Sequence, residues 1–248
     1  MSQIKTQKDW TALEVGRFWD WMNQTKRVQY FSEGIGDGLV KFFGQHISLK
    51  GDVLDFGCGT GYFLSKLPKQ CTLHGLDFSF SSVDSAKALL ASKANLGEVV
   101  FVQDLPSSFP TDKFDVIFLI ETIEHLNDFF LDSVLQELHR LLKPGGRLVI
   151  TTPHNEDIDA HTVYCPFCDS EFHHMQHMQK FTVQSMTELL KKYHFNVLNC
   201  FADDLYKYQF PVKYAVKELG KLVLNPILKL NKPPFLKPNL VAIVTKDQ

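Results

Sequence analysis

The sequence predicts an α/β fold: a mostly parallel sheet with helices packed on both faces. Three observations predict it. From residue 51 onward, short apolar runs alternate with helix-patterned stretches, as strand–helix repeats do. A glycine-rich turn, Gly57-Cys58-Gly59-Thr60-Gly61, follows the first run and opens a helical pattern. Lys143-Pro144-Gly145-Gly146 then stands where one helix must stop and another strand begin.

The elements follow in order. Residues 1–46 are expected to form an N-terminal helical cap, with Trp10, Leu13, Phe18, Trp21 and Met22 at helix-like spacing. Candidate strands are 52–56, 72–77, 98–103, 114–120, 146–152, 195–201 and 239–245, and helical patterns fall near 60–67, 80–93, 127–142 and 182–193. Two stretches break the alternation. Residues 153–180 are rich in His, Cys and Met, and residues 204–237 hold a basic amphipathic piece and several prolines. Both are expected as insertions at the carboxyl edge of the sheet, where ligand sites of α/β folds form. Within the second, Val212, Ala215, Val216, Leu219 and Val223 make an apolar stripe opposite Lys213, Lys217 and Lys221. It reads as a lid or docked surface helix, with peripheral contact to a membrane surface as the alternative.

The chain's 248 residues suit one large α/β domain or two small ones. A net charge of −2 provides no global field for nucleic acid, which makes a nucleic-acid partner unexpected. The polar N-terminus lacks an apolar signal segment, and no run approaches the ~18 apolar residues of a membrane span. Five cysteines, an odd number, point to reduced thiols and a cytoplasmic setting.

Alternating glycines let a backbone turn sharply and let a ligand lie directly on it. Dinucleotide sites use G-x-G-x-x-G; here the spacing is G-x-G-x-G, with Asp55 two residues ahead. That form suits a nucleoside without a pyrophosphate. Asp77, at the tip of the second strand, can accept hydrogen bonds from both ribose hydroxyls, and Phe78 can flank the base. The competing role for Asp77 is a helix cap. Asp104 ends the third strand, where it also reads as a turn residue before Pro106.

The order of these motifs, from Val53–Gly61 through Asp77, Asp104, Phe114–Leu126 and Leu141–Pro153, resembles class I S-adenosylmethionine (SAM) methyltransferases, over roughly 50–203 plus 239–245. The resemblance implies a Rossmann-like, seven-stranded sheet within a 47–248 domain, its last strand antiparallel and supplied by 239–245. It implies SAM binding by Asp55, Gly57, Cys58, Gly59, Gly61, Asp77, Phe78, Asp104, Leu105 and Ile120, with Asp104 meeting the adenine amino group.

Glu121-x-x-Glu124-His125 follows the fourth strand, where the methyl group should point. Two acids and an imidazole there can position a base or bind a divalent cation. The pattern is similar to one in ubiquinone-pathway O-methyltransferases and in small-RNA 2′-O-methyltransferases. The latter resemblance implies a metal on the acids and His, with His154, His173, His174 and His177 as further candidates. A second constellation is Cys165-x2-Cys168-x4-His173-x3-His177. A C-x2-C turn has the bite for tetrahedral zinc, and histidines four apart share a helical face. One structural zinc on Cys165, Cys168, His173 and His177 is expected, with His174 a competing ligand and free thiols the alternative. His177 has a rival role as a base, since relatives place a His just before the aromatic-Thr start of the next helix, here Phe181-Thr182.

These readings converge on a SAM-dependent methyltransferase acting on a small molecule, glycan or lipid precursor, at oxygen. The alternatives are a metal-assisted RNA 2′-O-methyltransferase and a non-catalytic SAM-binding protein.

Overall fold

A computed structural model of the chain describes residues 5–6, 10–25, 30–228 and 238–246. Strand β1 (Lys5–Thr6) precedes helices α1 (Ala12–Thr25) and α2 (Phe31–His46). The first strand–helix repeats are β2 (Gly51–Phe56), α3 (Tyr62–Lys66), β3 (Cys71–Asp77), α4 (Phe80–Leu90) and β4 (Leu96–Phe101). Strand β5 (Phe114–Ile120), α5 (Asp128–Leu141) and β6 (Leu142–Pro153) follow. The Cys/His-rich insertion holds a hairpin, β7 (Thr162–Cys165) and β8 (Ser170–His173). Helix α6 (Val183–Lys192), β9 (Phe195–Asp203), α7 (Tyr206–Gln209), α8 (Pro211–Leu228) and β10 (Asn239–Lys246) complete the chain. Residues 1–4, 7–9 and 26–29 of the expected cap, and 229–237 of the second insertion, lie outside the described residues.

The main sheet has seven strands in the order β4-β3-β2-β5-β6-β10-β9. Strands β2 to β6 run parallel, and β10 pairs antiparallel with both β6 and β9. Central β5, Phe-Asp-Val-Ile-Phe-Leu-Ile, is apolar nearly throughout because both its faces are covered. Its alternate side chains enter separate cores. Ile117 and Leu119 join Leu54, Phe56, Leu148 and Ile150 under α5 and α6. Val116, Phe118 and Ile120 join Val53, Val149 and the inner faces of α2, α3 and α4. The period of two along a strand thus sorts one sequence into two hydrophobic layers.

Local signals agree with the helix starts. Ser79 caps α4 by accepting from the Ser82 amide, Asn127 caps α5 through Phe130, and Thr182 and Ser185 form a capping box on α6. The Lys143–Gly146 turn proves to lie inside β6, as an irregularity with Gly145 at φ +75°.

In the insertion, β7 and β8 pair antiparallel, and β1 pairs parallel with β8 to make a three-stranded sheet. Helix α1 is tied to the cofactor-side edge by Asp20, whose carboxylate accepts from the Ser79 and Ser81 hydroxyls at 2.8 and 2.7 Å. Helix α8 leaves Val212, Val216 and Leu219 exposed, so this part of its apolar stripe faces away from the described body.

Candidate active site

Parallel strands end together, and the carboxyl ends of β2, β3 and β5 open onto one cavity of ≈ 390 Å³. The glycine loop forms its floor. Gly57, Gly59 and Gly61 have φ of +81°, +50° and +77°, values that only glycine adopts without strain. The Gly57 and Cys58 amides donate to the Leu76 carbonyl, which locks the loop to β3. A side-chain carbon at Gly57 would stand 2.7 Å from Thr122 Oγ1, and one at Gly61 2.9 Å from Ala86 Cβ. At Gly59 it would meet nothing within 4 Å, because Gly59 borders the open cavity.

Asp77 sits at the tip of β3. Its Oδ2 accepts from the Gly59 amide and its Oδ1 from the Ser79 amide, each at 2.8 Å. It therefore shapes the loop and the helix entry together. Burial raises its pKa, against the pull of those amides, and raises that of Asp55 well above the usual range, with Asp77 adding to the effect. Asp55, Asp77, Glu121 and Glu124 all line the cavity, and among the described residues its lining includes no lysine or arginine. Buried acids without a fixed cation suit a positively charged ligand such as a sulfonium nucleoside carrying an ammonium group.

Of the residues expected at the cofactor, Asp55, Gly57, Cys58, Gly59, Asp77, Phe78 and Ile120 line the cavity. Gly61 lies behind it as the left-handed cap of α3. Asp104 is exposed and absent from the lining; its neighbour Gln103 takes the wall position. The reason is register: β4 stops at Phe101, so side chains at 103 and 104 are aimed by a bend and not by the strand. Leu105 packs half-buried against the core beneath.

The Glu121-x-x-Glu124-His125 segment makes the opposite wall. Glu121 has φ +44°, a left-handed conformation that costs a non-glycine residue roughly 1–2 kcal/mol. It aims the chain into a short 3-10 turn, Ile123–His125. Glu124 is 1% exposed and accepts from Thr152 Oγ1 at 2.9 Å. Burial raises the pKa of Glu121 and of Glu124, the latter also through the Glu121 charge. Burial, then the neighbouring His177, pushes His125 down to about 3, so its imidazole is neutral. The carbonyl of Glu124 accepts from the Met178 and Gln179 amides at 2.7 and 3.0 Å, clamping the insertion onto this turn.

The roof comes from the N-terminal helices and the insertion. The Trp19 indole N–H donates to Gln176 Oε1 at 2.7 Å, and its ring stands edge-on to His125 at 4.8 Å and beside Tyr30 at 6.4 Å. Trp10, Phe31, Phe130, Met175, Met178 and Tyr206 complete an apolar lining.

The expected Cys165–Cys168–His173–His177 zinc site is not assembled. Cys165 and Ser170 pair at the tip of the hairpin, whereas His173 pairs with Thr162 three residues further along. An extended strand rises about 3.3 Å per residue, so β8 carries His173 roughly 10 Å from the cysteine turn. The four-residue spacing of His173 and His177 predicts a shared helical face; strand pairing extends 170–173 instead. Among the described residues, the His/Cys/Asp/Glu groups close enough for a metal contain no cysteine. His173 and His177 do meet, with rings stacked at 4.5 Å, but around Glu156. His154 and His174 belong to neither group. Sequence reasoning missed Glu156, Gln176, Gln103 and Trp19, although Trp19, Gln103 and Gln176 are chain neighbours of Phe18, Asp104 and His177.

A cation-accepting nucleoside cleft on this edge of a seven-stranded sheet with a reversed last strand defines the class of SAM-dependent methyltransferases. Residues 26–199 match the methyltransferase-domain family, and the chain belongs to that family. It is 31% identical over 173 residues to the O-methyltransferase resE of Aspergillus sclerotiorum, covering 66% of this chain and 60% of that protein's length. It is 29% identical over 196 residues to malonyl-(acyl-carrier protein) O-methyltransferase 1 of Ilyobacter polytropus, covering 77% and 70%. The structure is similar in fold to a SAM-dependent methyltransferase from Clostridium acetobutylicum, with a TM-score of 0.61, 13% identity and coverage of 94% and 99%. No helix among the described residues is long and apolar enough to cross a membrane.

Proposed function

We propose that the protein transfers a methyl group from SAM to an oxygen atom of a small, largely apolar acceptor. The observation that carries this reading is the single cavity joining the glycine loop to the Glu121–His125 wall beneath aromatic side chains. Bound on the loop, SAM supplies a methyl carbon on a good leaving group. The residues of this chain must then hold the acceptor in line and relieve it of a proton. Trp19, Tyr30 and Phe31 offer flat apolar surface for positioning. Glu121 is the base in this scheme: its raised proton affinity, from burial, suits proton uptake near neutral pH. With SAM bound, Glu121 would accept the acceptor's O–H proton as its oxygen is methylated, the S–C electron pair leaving with sulfur. The O-methylating relatives support oxygen as the accepting atom. Among the described residues the lining holds no lysine or arginine, which speaks against a nucleic-acid acceptor, whose phosphates would need cations.

The test uses SAM labelled in its methyl group and a panel of phenols, aliphatic alcohols and carboxylic acids, with products read by mass spectrometry. Transfer to oxygen is expected, with Glu121→Gln slowing turnover about 10²–10⁴-fold, far more than it weakens SAM binding. SAM binding without transfer to any oxygen acceptor, or transfer to nitrogen alone, would defeat the proposal.

A further inference from the structure

Helix α8 carries Val212, Val216 and Leu219 at a spacing of four and then three, which puts them on one face. All three are exposed, at 76%, 66% and 63%, and Ala215 beside them is exposed as well. Tyr214 and Glu218, on the opposite side of the helix, are half-buried. The usual arrangement of a helix packed on a core is therefore inverted here, with the apolar stripe outward. Single exposed apolar side chains are ordinary, but a continuous stripe marks a contact surface.

The root of this helix is fixed by packing. Leu205, ahead of α7, is fully buried, and its amide donates to Asn239 Oδ1 at 3.3 Å. On α7, Gln209 Oε1 accepts from the Gly38 amide at 2.7 Å, and the Tyr208 ring lies against Phe42 at 4.8 Å. The chain leaves the sheet at its carboxyl edge, since Asn239 pairs with both Asp203 at the end of β9 and Pro153 at the end of β6.

Charge selects what covers the stripe. Lys213 and Lys217 each follow a stripe valine and are exposed along its flank. Lys213 Nζ stands over the Phe210 ring, 5.8 Å from its centre. In sequence, residues 204–237 hold seven lysines against two acids, in a chain whose net charge is −2. Apolar side chains flanked by cations fit a bilayer with anionic headgroups: the stripe enters the acyl boundary and the ammonium groups meet phosphates. A second copy docked through the same face would instead bring the lysine flanks of both chains to one patch.

The stripe is also continuous with the cavity. Tyr206 lines the cavity and is half-exposed. Phe210 is exposed one turn further on, its amide donating to the Tyr206 carbonyl at 2.9 Å. Apolar surface thus runs from the cavity wall through Phe210 to the outward face of α8.

We propose that the outward face of α8 docks on an anionic phospholipid surface and sets the Tyr206 side of the cavity toward the bilayer. An apolar acceptor dissolved in the lipid then reaches the cavity without crossing water. That route rests on the O-methyltransferase reading; the docking surface itself does not.

The experiment sediments the full chain with vesicles of phosphatidylcholine alone, and with vesicles of phosphatidylcholine and phosphatidylglycerol in equal amounts. Binding to the mixed vesicles is expected, about tenfold or more tighter than to the neutral ones and weakening as salt rises. Val216→Asp, and separately Lys213→Glu combined with Lys217→Glu, should each weaken it about tenfold or more. These side chains are exposed, so SAM affinity should hold in every variant and serves as the check on folding. No binding to the mixed vesicles would overturn the surface. So would equal binding to both kinds, or binding that either variant leaves unchanged. A dimer in lipid-free sedimentation equilibrium that Val216→Asp dissociates would give the stripe to a second copy and overturn it too. Vesicle binding as expected by a protein that methylates no oxygen acceptor would uphold the surface and overturn the transfer reading. Transfer to oxygen by a protein that binds no vesicle would do the reverse.

Discussion

Gly57 and Gly59 have similar backbone angles, yet alanine at each should fail in a different way. An alanine held at φ near +50° or +81° costs roughly 1–2 kcal/mol. At Gly59 that is the whole folding penalty, because the new methyl meets nothing within 4 Å. For a chain of this size, 1–2 kcal/mol lowers Tm by about 2–8 °C. At Gly57 the methyl lands 2.7 Å from Thr122 Oγ1, which is itself committed to the Ile120 carbonyl at 2.9 Å. Overpacking adds about 1–3 kcal/mol, giving about 2–5 kcal/mol in all, a large share of a typical domain's stability. The effects on cofactor should invert. The Gly59 methyl enters the space a nucleoside must occupy, and displacing that ligand enough to lose one hydrogen bond to a charged group costs about 1.5–3 kcal/mol. Gly59→Ala should therefore bind S-adenosylhomocysteine at least tenfold more weakly in calorimetry while melting only slightly lower. Gly57→Ala should show the larger melting loss by scanning fluorimetry. A Gly59→Ala protein whose Kd stays within threefold of the parent would refute the assignment of this loop to the cofactor.

Three further outcomes follow from the buried acids. Asp77→Asn should weaken SAM binding by tenfold or more, because the amide cannot accept through both atoms; calorimetry showing an unchanged Kd would reject its ribose role. SAM affinity should rise with pH across the acidic-to-neutral range, and more steeply than that of neutral-sulfur S-adenosylhomocysteine. Asp55 and Asp77 titrate above the usual carboxyl range in the free protein, and only their ionised forms attract the sulfonium. The same shifts make the ligand-free protein lose stability as pH rises through those raised pKa values, since the native state binds more protons there than the unfolded chain. Binding isotherms in buffers of differing ionisation enthalpy should report proton release; equal pH profiles for the two ligands would contradict this account.

Much of the fold was legible because its signals are local. All seven main-sheet strands were marked by apolar runs, and four helices by their periodicity. The alternation of Ile117 and Leu119 against Val116 and Phe118 reads directly as a strand covered on both faces. The glycine loop was legible for the same reason: three left-handed positions in five residues need glycine whatever surrounds them. The misreadings fall where register decides. Asp104 and Gln103 differ by one residue, and one residue turns a side chain from the wall to solvent. Cys165, Cys168, His173 and His177 have ligand spacing along the chain, but a hairpin converts that spacing into separation.

Composition, periodicity and turn chemistry by themselves determined the class of fold, the glycine loop with Asp77 beside it, and the edge of the sheet at which the cavity opens. Each depends on residues within a few positions of one another, where backbone geometry leaves little choice. The tertiary structure alone decided which histidines serve the cavity. His177 reaches His125 and Glu156 only because β7 and β8 pair and because Met178 and Gln179 donate to the Glu124 carbonyl. The contacts of His177 with His125 and of Met178 and Gln179 with Glu124 join segments some fifty residues apart. Their geometry is set by sheet register and packing, and neither is written in the spacing of the ligands.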